Sequence, residues 1–155
     1  MVNKSLLQNI YLFKKMTNEE VETIASLSEI QLFNFGEEIF AQQDRAFALY
    51  VIKYGSVRIY QKSSFGDLIE VANLGTGSHF GEMGLLDNEP RSAFATSLEK
   101  SEIVVIPYET LRKVLENRPE IAVKFYRELA LFLCGRLRMT THDLSFSREK
   151  NLSHF

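Results

Sequence analysis

A chain of 155 residues, 45% hydrophobic and 25% charged, has the make-up of one soluble globular domain that can bury a sizeable core. Its formal net charge of −2 gives no general attraction to nucleic acid or to an anionic membrane surface. The one cysteine, Cys134, excludes an internal disulfide, suits a reducing compartment, and sits in an apolar run as a buried small hydrophobe would.

From the N-terminus, residues 3–28 read as helical. Leu6, Leu7, Ile10 and Tyr11 recur at helical spacing, as do Val21, Ile24, Ala25 and Leu27 after a one-residue slip. Thr17 followed by Glu20 is a capping-box signature, so two short helices meeting near Met16 are expected. Lys4, Lys14 and Lys15 interrupt any secretion-signal core. No apolar stretch approaches the length that crosses a bilayer. The expected location is the cytoplasm, without membrane contact.

From about Glu29 the period changes to two. Ile30, Leu32, Phe33 and Phe35 lead to Gly36, and Ile39-Phe40 follows. Ala48 to Ile52 and Val57 to Tyr60 are β-branched and aromatic, with Gly55 as the turn between them. Ser63 to Asp67 is another turn, Leu68 to Leu74 a further strand, and Gly75-Thr76-Gly77 closes it. Phe94 to Leu98 and Ile103 to Ile106 flank a polar turn. Short strands at about ten-residue intervals, split by glycine turns, predict a sandwich or barrel of jelly-roll type. Pro107 to Asn117 reads as a helix, and Pro119 fits the first turn of a last helix running into the 140s.

The richest chemistry lies between Phe80 and Thr96. Arg91 offers a planar donor fork for phosphate oxygens. Glu82 accepts hydrogen bonds from sugar hydroxyls. Ser92 and neighbouring backbone N–H groups complete an anion nest. Together they suit a small ligand that carries both a ribose and a phosphate.

Phe80-Gly81-Glu82, the apolar Met83 to Leu86, and Pro90-Arg91-Ser92-Ala93 resemble the phosphate-binding cassette of cyclic nucleotide-binding domains. The resemblance extends along the chain, through Leu49-Tyr50-Val51-Ile52, Gly55-Ser56-Val57-Arg58, Gly75-Thr76-Gly77 and the closing helix. It implies one domain over residues 1–155: N-terminal helices at 1–28, a β-barrel at 29–106 with the cassette at 80–96, and C-terminal helices at 107–145. The implied fold is mainly β with flanking helices, a jelly-roll barrel or double-stranded β-helix with a long C-terminal helix.

The resemblance also implies roles. Gly81 and Glu82 would take the ribose side, Gly81 allowing close approach and Glu82 accepting from the 2′-hydroxyl, with Phe80 and Met83 beside them as further ligand-binding residues. Arg91 would pair with the cyclic phosphate, helped by Ser92, Ala93 and the short helix after Glu82. In catabolite-activator-type members a Thr-Ser pair on the final helix contacts the adenine shortly after an Arg-Leu. Here that stretch is Arg136-Leu137-Arg138-Met139-Thr140-Thr141. Thr140 and Thr141 are base contacts on one reading and solvent-facing helix residues on the other. Arg136 would reach Glu82. The implied ligand is cAMP or cGMP, with cAMP favoured, and no other cofactor is expected.

Leu129 to Cys134 is apolar nearly all round. Either a second copy of the helix covers its free face, giving a homodimer, or the N-terminal helices do. Too few residues follow Thr140 for a winged helix-turn-helix, so no direct DNA binding is expected. The chain reads as a stand-alone sensor, or the sensor part of something longer, acting on a protein partner through movement of its last helix. A cupin-type metalloenzyme needs more histidine ligands than His79, His142 and His154 supply, so no metal site is expected. No nucleophile–base pair or paired catalytic carboxylates stand out, so no catalytic residue is assigned and no enzyme is read. A ligand-free interaction module on the same fold is the remaining alternative.

Overall fold

The computed structural model describes residues 2–152, with side chains to Lys150. The N-terminal segment forms α1 (Lys4–Gln8), a 3-10 turn at Tyr11–Phe13 and α2 (Asn18–Ser26). The capping box is present: Glu20 N–H donates to Thr17 Oγ1 at 3.3 Å and Thr17 N–H to Glu20 Oε1 at 2.8 Å. Two of the amides that open α2 are thereby satisfied.

Eight strands follow: β1 (Glu29–Phe33), β2 (Glu38–Phe40), β3 (Ala48–Tyr54), β4 (Ser56–Lys62), β5 (Leu68–Gly75), β6 (His79–Phe80), β7 (Phe94–Ser97) and β8 (Ser101–Pro107). They form two antiparallel four-stranded sheets, ordered β1-β8-β3-β6 and β2-β7-β4-β5. This is the jelly-roll arrangement, with the two sheets facing each other rather than joined into a closed barrel. Between β6 and β7 stands α3 (Met83–Asp87); after β8 come α4 (Tyr108–Asn117) and α5 (Pro119–Leu152).

The continuous apolar runs of β3 and β8 have a physical reason. Ala48, Tyr50, Ile52, Ile103 and Val105 point between the sheets, where Phe33, Val57, Phe80 and Ala95 meet them. Leu49, Val51, Val104 and Ile106 point the other way, onto a helical layer that includes Leu7, Phe13, Ile24, Leu111, Ile121 and Phe125. A strand covered on both faces has no polar side to show. The β3–β4 turn is tight because Gly55 has φ +116, and a Cβ there would fall within 2.8 Å of Ser101 Cα.

Arg118 breaks the last two helices apart with φ −126 and ψ 80. Its Nη1 and Nη2 donate to Glu19 at 2.9 and 2.8 Å, while Lys124 Nζ meets Glu20 at 2.6 Å. The root of α5 is thus fastened to α2. Beyond Leu133 every described residue is exposed, although Arg136 still reaches back to Glu82. Cys134 is one of them, which corrects its reading as a buried hydrophobe. An apolar sequence neighbourhood buries a residue only where the helix still has a surface to lie on. No described helix is long and apolar enough to cross a membrane.

Candidate functional site

A cavity of about 460 Å³ opens between the β2-β7-β4-β5 sheet, the segment around α3, and α5. Of the residues expected from the sequence, Phe80, Gly81, Glu82, Met83, Arg91, Ser92, Ala93, Arg136 and Thr140 all line it. Thr141 does not: the next position along a helix turns away by about 100°.

Arg91 forms the inner end. It is 6% exposed, and the loop after β2 holds its backbone: Arg91 N–H donates to the Asp44 carbonyl at 2.7 Å and Gln43 N–H to the Arg91 carbonyl at 2.8 Å. Its Nη1 donates to the Gly81 carbonyl at 3.0 Å and the Tyr108 hydroxyl at 3.1 Å, and Nη2 to the Ala48 carbonyl at 2.7 Å. The guanidinium lies 4.2 Å from the Phe40 ring centre and 5.5 Å from that of Tyr50. Of its five N–H donors, three are used, and Nε is buried without a partner. Among the described residues no carboxylate lies within 4 Å of it. A buried cation without a counter-charge is costly unless an anion joins it.

Gly81 makes this approach possible. Its φ is +78, and a Cβ there would lie 2.8 Å from Arg91 Nη1. The Tyr108 hydroxyl also donates to the Gly81 carbonyl. Burial raises the Tyr108 and Tyr50 phenols above their ordinary 10.0, although Arg91 beside them pulls the other way. Tyr108 therefore remains a neutral donor.

Glu82 is the second buried charge, 2% exposed. Burial alone would raise its carboxyl, but His79, the surrounding backbone and Arg136 together hold it below the ordinary 4.5. Arg136 Nη1, from α5, reaches Glu82 Oε1 at 3.4 Å, the contact anticipated between the last helix and the cassette. His79 Nδ1 stands 3.7 Å from Glu82 Oε2, beyond hydrogen-bond reach but close enough for attraction when the ring is protonated.

The outer end is built by α5 from Phe132, Arg136, Met139, Thr140 and Asp143. Phe132 meets two tilted rings, that of His79 with centres 4.3 Å apart and that of Tyr11 with centres 6.4 Å apart. The N-terminal segment therefore covers part of the apolar stretch on α5, while Leu131 remains exposed. Sequence reasoning missed Tyr108, Phe40 and Phe132 as site residues. It weighed His79 only as a metal ligand. Among the described residues no three His, Cys, Asp or Glu side chains are placed to hold a metal ion. His154 lies outside the described residues.

The sequence matches the family model of the cyclic nucleotide-binding domain over residues 30–118, more than half of the chain. It is 34% identical over 143 residues to the cyclic AMP receptor protein of Thermus thermophilus, covering 90% of this chain and 64% of that protein. It is 33% identical over 115 residues to a cGMP-dependent protein kinase of Plasmodium berghei, covering 74% of this chain and 13% of the kinase. The structure superposes on that of the Thermus thermophilus catabolite activator protein with a TM-score of 0.77, covering 88% of this chain and 62% of that one. The chain spans less than two thirds of the length of each of these relatives.

Proposed function

The chain belongs to the cyclic nucleotide-binding domain family, and on that premise we propose that its cavity binds a cyclic nucleotide, cAMP in preference to cGMP. The observation that carries this reading is the buried Arg91, which has no anionic partner among the described residues and shares a cavity with a buried, ionised Glu82. Arg91 and Ser92 hold the cyclic phosphate, with Ala93 shaping the floor. Glu82 accepts from the 2′-hydroxyl, and Phe80, Gly81 and Met83 define the ribose wall. Thr140 bonds the adenine edge, with Thr141 beside it, and Arg136 couples α5 to Glu82. The preference for cAMP draws on the likeness to the Thermus receptor; the likeness to a cGMP-dependent kinase makes the comparison of both ligands essential.

Ligand contact by α5 favours one position of that helix over another, and only a difference in affinity for the two positions drives the change. The signal then leaves through α5 to a protein partner. Leu137, Met139, Leu144 and Phe146 are exposed along its outer part, which suits pairing with the same helix of a second copy. Light scattering that returns a monomer with and without cAMP removes the dimer. Hydrogen exchange over residues 119–145 that is unchanged by cAMP removes the helix movement.

A second reading, a module that keeps the fold without ligand, draws on the Arg91 bonds to the Gly81 and Ala48 carbonyls, which give that side chain a structural task. Thermal melting with cAMP, cGMP and a cyclic dinucleotide separates the two. A ligand that binds the native state raises Tm as its concentration rises. No shift with any of the three favours the ligand-free module.

A further inference from the structure

His79 lies in the cavity wall, 6% exposed, with both ring nitrogens buried and without a hydrogen-bond partner. A buried polar atom left unpaired calls for an explanation. Strand β3 sets Val51 opposite His79 in register, and α5 sets Phe132 against its ring. The charged groups at that junction are Glu82, 3.7 Å from Nδ1, and Arg136, which meets the other oxygen of Glu82. Glu128, one turn before Phe132 on α5, is a further buried acid of that helix.

The cavity as a whole is short of positive charge. Glu82, Asp87, Glu89 and Asp143 line it, against only Arg91 and Arg136. A cyclic nucleotide adds the single negative charge of a phosphodiester, which persists at any pH near neutrality. Imidazole is the side chain that changes charge between about pH 5 and pH 8. An added anion in a partly enclosed site favours the protonated ring.

We propose that His79 takes up a proton from solvent as the nucleotide binds, acting as a positioning residue that balances the ligand's charge and orients Glu82 for the ribose hydroxyl. The inference rests on the nucleotide reading of the cavity. Its consequence is that affinity rises as pH falls across the histidine range, while Glu82 stays ionised.

Isothermal titration with cAMP, in two buffers of unlike ionisation enthalpy and at steps from about pH 8 to about pH 5, tests it. The expected result is net proton uptake and a Kd that falls about three- to tenfold toward the acid end. His79→Gln and His79→Phe should both flatten the profile, whatever they do to the affinity itself. His142→Gln, on an exposed residue of α5, should keep the slope. A flat native profile, zero proton uptake, or a slope that survives in both His79 variants overturns the inference while leaving nucleotide binding standing. Absence of binding at every pH overturns both. If neither His79 variant folds, the His79 proton resonances of the native protein decide: their titration midpoint must move to higher pH with saturating cAMP, and an unmoved midpoint overturns the inference.

Discussion

The two ends of the cavity are built on opposite principles. At the inner end Arg91 is 6% exposed, held by backbone carbonyls, one tyrosine and an aromatic ring, all from the β-sheets, the loop at Gly81 and the start of α4. At the outer end Arg136 has a side chain 46% exposed, on the part of α5 where every described residue is exposed. The inner end is fixed by the sheets and their loops; the outer end is completed by α5, the element that moves on the proposed reading. Pre-organised donors lose little on binding, so they carry affinity, while contacts from α5 are the ones that would turn occupancy into the proposed motion.

Removing Arg91 breaks the rigid end and should have the largest effect. Arg91→Ala should weaken cAMP binding about ten- to a hundredfold, measured by isothermal titration. It should also lower Tm, because the Ala48 carbonyl loses its buried donor. Unchanged affinity would remove the phosphate role. Glu82→Gln comes next. A neutral acceptor replaces a charged one, and affinity for cAMP should fall about tenfold; the native preference for cAMP over its 2′-deoxy analogue should shrink with it.

The same variant carries a pH signature. The Glu82 carboxyl lies below its ordinary 4.5 in the folded protein. Its ionised form therefore contributes stability above that ordinary value, and the contribution is lost as pH falls through the lowered one. The acid-side fall in Tm of the ligand-free protein should be shallower in Glu82→Gln. A slope identical to that of the native protein would separate Glu82 from acid unfolding.

Thr140→Ala sharpens the outer end. Loss of one neutral bond to the base should cost about two- to tenfold in cAMP affinity, whereas Thr141→Ala should change little, since that residue is off the cavity wall. Equal losses for both would mean that α5 rotates on binding. The smallest effect is expected from Arg118→Ala. Its ion pairs with Glu19 and Glu120 are exposed, so the melting change should be slight at low salt and vanish at high salt.

What was legible in the sequence follows from how local each signal is. The Thr17–Glu20 capping box, the Gly55 turn, the two-faced apolar runs of β3 and β8, and the Pro119 helix start are decided within a few residues. The cassette residues were legible because their chemistry is packed into one short segment. β6 was not, because a two-residue strand has no period and exists only through its pairing with Tyr50 and Val51. Tyr108 and Phe132 were invisible as site residues because only the folded chain brings them to Gly81 and His79. Cys134 misled because hydropathy does not say where a helix parts from its support.

The fastening of α5 to α2 has a mechanical consequence. Moving as proposed, α5 is a lever: Arg118 and Lys124 on Glu19 and Glu20 and the buried Ile121, Phe125 and Leu129 hold its start, so its fulcrum sits near Leu129. From Leu129 to Leu152 its arm is about 35 Å long at 1.5 Å per residue. A tilt of about 5° at the cavity, small enough to pass as a side-chain adjustment, swings the far tip by about 3 Å. A label near Lys150 would therefore read cavity occupancy more sensitively than one placed beside the cavity itself.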